Sequence, residues 1–438
     1  MPRTRLVHLA GQTCHTAAGQ GGVRGDTMTT TTPARIAALD VIRGMAVMGI
    51  LVANLPAFAL PEAAYFSPAA WGGSTGANQL VWLATFVLVE GKMRGLFTLL
   101  FGASMLLVID RAEAKGENAA AVHYRRMAVL LLIGCLHLYL FWWGDILSHY
   151  ALVGGIAFLF HRLPARSLVI AGLLLLALDW ITGIMGTLAI FASGARNTPT
   201  AIATWNAFAT SFGVPPAADL ASQIAAIRGG FAEGVAWRWS NAAGPFSTLS
   251  LVGPETLSAM LIGMATFRSG FITGAWPRAR YRRWAIVCLG LSLTGYALLG
   301  LATITHGFDQ RWVFLGSVGA SAPIRLLGAI GYAALAMLLI RPGGRLTARL
   351  AATGRAAFTN YLGTTLLMTF IFSGWGLGQF ARWDRATLYW MVPIAWAIML
   401  GWSRPWIARY RFGPMEWVWR SLARFAPQPM RGGAAAAD

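Results

Sequence analysis

Charge is scarce in this chain. Only 12% of its 438 residues are Asp, Glu, Lys or Arg, about half the share of an average soluble domain. Lysine is almost absent. Lys92 and Lys115 are the two present, and arginine carries nearly all of the formal net charge of +19. Cysteine is confined to Cys14, Cys135 and Cys288, with no CxxC or CxxH spacing, so neither a disulfide framework nor a metal site is expected. No Walker motif occurs, nor GxSxG or GxGxxG in a strand context, which argues against ATP-driven transport by this chain alone.

What is present is apolar sequence, 56% of the chain. It falls into runs long enough, or nearly so, to cross a hydrocarbon layer about 30 Å thick. The expected fold is therefore all-α: a polytopic integral membrane protein of about ten transmembrane helices, with the lipid bilayer as its main partner. The expected spans are 41–60, 95–109, 127–143, 146–160, 167–191, 246–267, 284–305, a span ending at 340, 356–372 and 386–402. The stretch 80–109 is apolar but interrupted by Glu90-Gly91-Lys92-Met93-Arg94, so it reads as an entering segment, a break at Gly91, and then a span. Residues 192–246 are the one long hydrophilic connection.

Residues 1–33 are polar and lack the apolar core of a signal peptide. They read either as a disordered extension or as sequence upstream of a start at Met28. A helical membrane domain is expected over 34–424, with a flexible tail over 425–438.

The arginines sort the loops into two sets. One set holds Arg111, Lys115, Arg125, Arg126, Arg162, Arg166, five arginines between 268 and 283, Arg341, Arg345, Arg349, Arg404, Arg409 and Arg411. The other has none between 61 and 77, three in 192–246, and then Arg311, Arg382 and Arg385. Arginine-rich loops stay inside, which puts both termini in the cytoplasm. Loop arginines of this kind form no basic face on a soluble module, so nucleic acid is excluded as a partner.

Polar residues inside such spans are candidates for function. Asp40 and Arg43 are three apart and share a helix face. Arg43 and Asn54 are eleven apart, three full turns, and share it too. The alternative for Asp40 and Arg43 is an ion pair anchoring one helix end. Glu90, Lys92 and Arg94 either line a cavity, where the two cations could hold a phosphate or carboxylate, or sit at the interface with the cations reaching headgroups. His137 lies deep in a span, and Asp145 follows it at the span's end. Imidazole titrates near neutral pH, so His137 is a candidate general base; the other reading is a hydrogen-bonded packing residue.

Leu39-Asp40-Val41-Ile42-Arg43-Gly44, with Asn54 beyond it, resembles the opening of the YeiB-like bacterial membrane proteins, domain of unknown function 418. So do Leu96-Phe97-Thr98-Leu99-Leu100-Phe101-Gly102, His137 with Phe141-Trp142-Trp143-Gly144-Asp145, and Met260-Leu261-Ile262-Gly263-Met264. Gly354-Arg355-Ala356-Ala357-Phe358-Thr359-Asn360-Tyr361 and Phe412-Gly413-Pro414-Met415-Glu416-Trp417-Val418-Trp419-Arg420 complete the set, in a motif region over 345–424.

That family distantly resembles a transmembrane acyltransferase superfamily, which includes enzymes modifying bacterial surface glycans and lysosomal heparan-glucosaminide acetyltransferase. The resemblance implies transfer of an acyl group from a cytoplasmic acyl-CoA-type donor to an extracytoplasmic saccharide or lipid acceptor. The glycan-modifying branch carries a histidine eleven residues after the arginine. Here that position is Asn54, which leaves His137, with Asp145, as the candidate base. Asp40, Arg43, Asn54, Glu90, Lys92 and Arg94 are then candidates for holding donor or substrate, with no metal. The same polar residues would suit a transporter or permease for a small solute, although no internal repeat is found.

Overall fold

The computed structural model describes residues 32–431, and every regular element among them is helical. The first five helices are α1 (Thr32–Ala59), α2 (Gly76–Leu88), α3 (Lys92–Ala114), α4 (Ala119–Leu136) and α5 (Leu147–Ala157). Then come α6 (Ala165–Ser193), α7 (Pro199–Phe212), α8 (Ala217–Arg228), α9 (Phe231–Asn241), α10 (Pro245–Arg268) and α11 (Arg278–Thr305). The chain continues with α12 (Gln310–Phe314), α13 (Ser321–Leu339), α14 (Arg345–Arg355), α15 (Ala357–Phe372), α16 (Arg385–Leu388), α17 (Met391–Arg409) and α18 (Pro414–Arg424). Residues 1–31 of the expected N-terminal extension, the Met28 start included, and 432–438 of the expected tail lie outside the described residues. Residues 425–431 fold back: Arg411 N donates to the Met430 carbonyl, and Trp417 Nε1 to that of Gln428.

Eight stretches are long and apolar enough to cross a bilayer, with α2 and α3 counted together as Gly76–Ala114. The shorter apolar helices Leu147–Phe160 and Ala357–Phe372 bring the number to the ten expected. The helices overrun the apolar runs at one end. The expected charged loop at 110–126 is mostly helix, with α3 continuing to Ala114 and α4 starting at Ala119. Polar helical turns beyond the hydrocarbon carry no hydropathy signal, which is why the spans looked shorter in sequence. The long connection 192–246 is built of α7, α8 and α9.

Hydrogen bonds between loops show which of them share an end. At the arginine-rich end, Arg268 donates to the His161 carbonyl, Arg278 to that of Leu338, and Arg355 to that of Arg411. At the other end Gln223 accepts from Glu62 N, Arg228 donates to the Phe380 carbonyl, and Gln310 donates to that of Trp205. The alternation read from the arginines is thus the alternation of the fold.

Helices α1 and α3 form the centre. Helix α1 packs on α3, α14 and α15, and α3 also meets α4, α5, α10 and α13. Helices α4, α6, α11 and α17 lie at the rim, where Leu174, Ile181, Ile286 and Ile398 face outward. Two crossings are backbone-to-backbone. A Cβ on Gly102 would strike the Met260 carbonyl, and one on Gly263 would strike that of Leu99, so α3 and α10 meet through a reciprocal glycine pair. Gly44 against Leu350 and Gly354 against Asp40 do the same for α1 and α14. Small residues at helix crossings are how membrane helices gain contact where no hydrophobic effect drives them together.

Pro56 lies inside α1 and leaves the Val52 carbonyl without its helical donor. The Tyr389 hydroxyl supplies one, at 3.2 Å. A freed backbone group at membrane depth requires such a partner.

Candidate functional site

Two polar centres flank α1. The first lies along the face that carries Asp40, Arg43 and Asn54. Arg43 donates from Nη1 to Asp40 Oδ1 at 2.8 Å and from Nη2 to Ser104 Oγ at 2.9 Å. Three turns further on, Asn54 lines a partly open pocket with Val47, Ile50, Leu51, Phe58, Tyr361 and Thr364. The Tyr361 hydroxyl is buried with no hydrogen-bond partner among the described residues.

Beside Tyr361, at 5.5 Å between ring centres, lies His137. It opens a π-turn over His137–Phe141, which Trp142 N closes by donating to the His137 carbonyl. Arg238 of α9 donates to the Tyr139 and Leu140 carbonyls at 3.0 and 2.6 Å and so ties the turn to the opposite-end cap. Burial lowers the Arg238 pKa to about 10.

Both His137 nitrogens are engaged. Nδ1 is 2.7 Å from Asp145 Oδ1, and Nε2 is 3.0 Å from Thr365 Oγ1. Asp145 Oδ2 accepts from Ser148 N and Ser148 Oγ at the start of α5, at 2.9 and 2.8 Å. With its proton on Nδ1, the nitrogen that faces the Asp145 carboxyl group, the His137 ring has Nε2 free to accept. His137, Asp145 and Thr365 are all buried.

The second centre surrounds the break between α2 and α3. Gly91 has φ +68°, and a Cβ there would run into the Arg325 side chain. Lys92 is wholly buried. Its Nζ donates to the Phe86 and Glu90 carbonyls at 3.1 and 3.3 Å and sits 3.1 Å above the centre of the Tyr296 ring. Arg94 pairs with Glu255 at 2.9 Å, and Arg325 pairs with the same carboxylate at 2.8 Å. Arg325 also donates to the Ser317 carbonyl and to Ser321 Oγ, both at 2.6 Å.

At the arginine-rich end the Phe412–Arg420 motif closes on the bundle. Glu416 accepts from Phe358 N at 2.7 Å and from Thr359 Oγ1 at 2.6 Å, capping the start of α15. Burial raises its pKa against those bonds. Arg420 has its pKa lowered by burial, which outweighs Glu416, and by neighbouring Arg43, Arg111 and Arg424. Arg126 stacks over Trp419, with 4.2 Å to the ring centre. Arg43, Arg111 and Arg424 thus gather around Arg420.

The expected residues therefore divide into two groups. Asp40 with Arg43, and His137 with Asp145, meet as anticipated. Glu90, Lys92 and Arg94 gather on the other side of α1, away from Arg43. Lys92 and Arg94 are already engaged with partners of the protein itself. Sequence reading missed Thr365, Tyr361, Glu255 and Arg325 as members of these centres. The signal for the last two was available: a lone carboxylate and a lone guanidinium within spans each need a partner.

Residues 266–426 match the family described as "Protein of unknown function (DUF418)". The chain is 31% identical over 403 residues to "Uncharacterized protein YeiB" of Escherichia coli (strain K12), covering 89% of this chain and 97% of that protein. It is 28% identical over 418 residues to "Uncharacterized protein YxaH" of Bacillus subtilis (strain 168), covering 92% and 97%. No solved structure matches it. Identity of this extent along nearly the whole of both chains, together with the family match in the C-terminal part, places the chain in the YeiB-like DUF418 family.

Proposed function

We propose that the protein is a membrane-embedded acyltransferase, moving an acyl group from a cytoplasmic acyl-CoA-type thioester to a saccharide or lipid acceptor on the opposite side of a bacterial inner membrane. The observation that carries this reading is the buried Asp145–His137 pair with a hydroxyl at the second ring nitrogen. Thr365 Oγ1 marks where an acceptor hydroxyl would sit, and its own proton can turn to the Tyr361 carbonyl at 3.4 Å. His137 Nε2 takes the proton from the acceptor hydroxyl as its oxygen attacks the thioester carbonyl. The C–S bond breaks, and the proton passes to the leaving thiolate, giving an ester and a free thiol. Asn54 and the unpartnered Tyr361 hydroxyl, which line one cavity, are the donors available to the developing oxyanion. Arg43, with Arg355 and Arg420 beside it, would hold the donor phosphates at the arginine-rich end.

The decisive comparison is lipid and surface-glycan mass spectrometry of a deletion strain against its parent. An acyl mass missing from one glycan or lipid is the expected result. Unchanged masses together with the loss of a solute flux would overturn it in favour of transport, the reading that the helix break at Gly91 and the buried ion pairs favour.

Orientation follows from the arginine bias. Reporters fused at residues 115, 210 and 430 should read inside, outside and inside. An inside signal at 210 would reverse the membrane assignment.

A further inference from the structure

The second polar centre opens onto a cavity that the acyl-transfer reading does not use. It is a partly open cleft between α1, α2, α16 and the connection after α1, with about 270 Å³ free of protein atoms once its solvent-open part is included. Tyr65, Trp82, Thr85, Glu90, Arg385 and Tyr389 supply its polar wall. Tyr65 belongs to the loop at the end remote from the arginine-rich face, so a ligand would enter from that end.

Two buried donors on this wall are unfilled. Arg385 is 2% exposed and Trp82 3% exposed. Arg385 Nε and Trp82 Nε1 have no hydrogen-bond partner among the described residues. Arg385 donates from Nη2 to the Ala64 carbonyl, and no carboxylate pairs with it among the described residues. A buried donor left unsatisfied costs about 1–3 kcal/mol, and more when it is charged, so such a group is retained where something fills it. The charge balance points the same way. Lys92, Arg94, Arg325 and Arg385 meet Glu90, Glu255 and Asp179 in this centre, four cations to three carboxylates among the described residues. Excess positive charge at membrane depth calls for an anion. Glu90 reaches the same cavity as an acceptor, so it suits a hydroxyl on the incoming molecule.

We propose that this cavity binds a hydroxyl-bearing oxyanion, a phosphate or carboxylate carried by a free small molecule or by a lipid headgroup. Arg385 Nε–H and Trp82 Nε1–H donate to its oxygens, and Glu90 accepts from its hydroxyl. The site stands independently of acyl transfer, on the far side of α1 from His137.

The test is ligand-dependent thermal stabilisation of the purified full-length protein. The probes are inorganic phosphate and glycerol 3-phosphate in detergent, and nanodiscs of phosphatidylglycerol against phosphatidylcholine. Glycerol 3-phosphate should raise the unfolding midpoint saturably, more strongly than phosphate. Trp82→Phe, which keeps an aromatic ring but removes the N–H, should weaken apparent affinity by about 10-fold, the loss expected for one hydrogen bond to a charged group. Arg385→Lys keeps the charge without Nε–H and should do the same. A response to phosphatidylglycerol nanodiscs alone would assign the oxyanion to a lipid headgroup. A response to the soluble anions would assign it to a free molecule. Absence of a saturable shift with every probe would show that water alone fills the cavity and would overturn the proposal, as would equal affinity in the wild type and Trp82→Phe. Should Arg385→Lys fail to fold, Trp82→Phe decides.

Discussion

His137→Gln should leave the protein folded and lower acyl transfer by about 10²–10⁴-fold, the usual contribution of a general base. Glutamine suits this test because it preserves the local hydrogen bonds. Its amide N–H can donate to Asp145 Oδ1, and its carbonyl can accept from Thr365, replacing the two contacts His137 makes at 2.7 and 3.0 Å. What it cannot do is accept a proton at neutral pH. A packing residue and a base therefore give different outcomes. Loss of turnover at unchanged melting temperature and membrane yield supports the base. Full turnover in a folded His137→Gln protein removes it, and Asn54 and Tyr361 become the next residues to test. His149→Gln serves as the control, since His149 is also buried but bonds to Thr256 rather than to Asp145 or Thr365.

Glu255→Gln should be the most damaging single change to stability, at about 3–5 kcal/mol, the cost of removing one member of a buried ion pair. Glu255 is shared. It faces Arg94 at 2.9 Å and Arg325 at 2.8 Å, with side-chain exposures of 13%, 30% and 9% respectively. Taking away its charge leaves two guanidiniums facing each other at the break between α2 and α3. The double variant Glu255→Gln with Arg94→Gln should recover part of the loss. Arg325 then remains the one cation of the three, still held by Ser317 and Ser321. Membrane yield and thermal midpoint read both. A Glu255→Gln protein as stable as the wild type would mean that water, rather than the carboxylate, balances these arginines.

The spans were legible because a hydrocarbon layer imposes a length and a polarity that any crossing must show locally. The break at Gly91 was legible because three charges within five residues cannot sit in lipid on a continuous helix. Asp145 beside His137 was legible for a related reason: the two are close in sequence and meet across one turn. Thr365, 228 residues from His137, had no such signal. Nor did the meeting of Arg94 with Glu255, 161 residues apart. Side-chain pairing across helices depends on which faces the bundle brings together, and a single chain does not spell that out. The split of the polar residues by α1 was invisible for the same reason. The motifs carried a message of their own. Gly44, Gly102, Gly263 and Gly354 each stand in one of the family-like stretches, and each marks a helix crossing rather than a chemical group.

Those four glycines have a consequence for genetics. At an ordinary core contact, a residue made too large can be tolerated if its neighbour is made smaller, so intragenic suppressors arise in pairs. Here the obstacle to a new methyl group on Gly354 is the carbonyl of Asp40, and on Gly44 the carbonyl of Leu350. No change of side chain at Asp40 or Leu350 trims a carbonyl. Alleles at these positions should therefore resist reversion by substitution at the opposing residue, and a suppressor screen should return true revertants or changes that shift a whole helix.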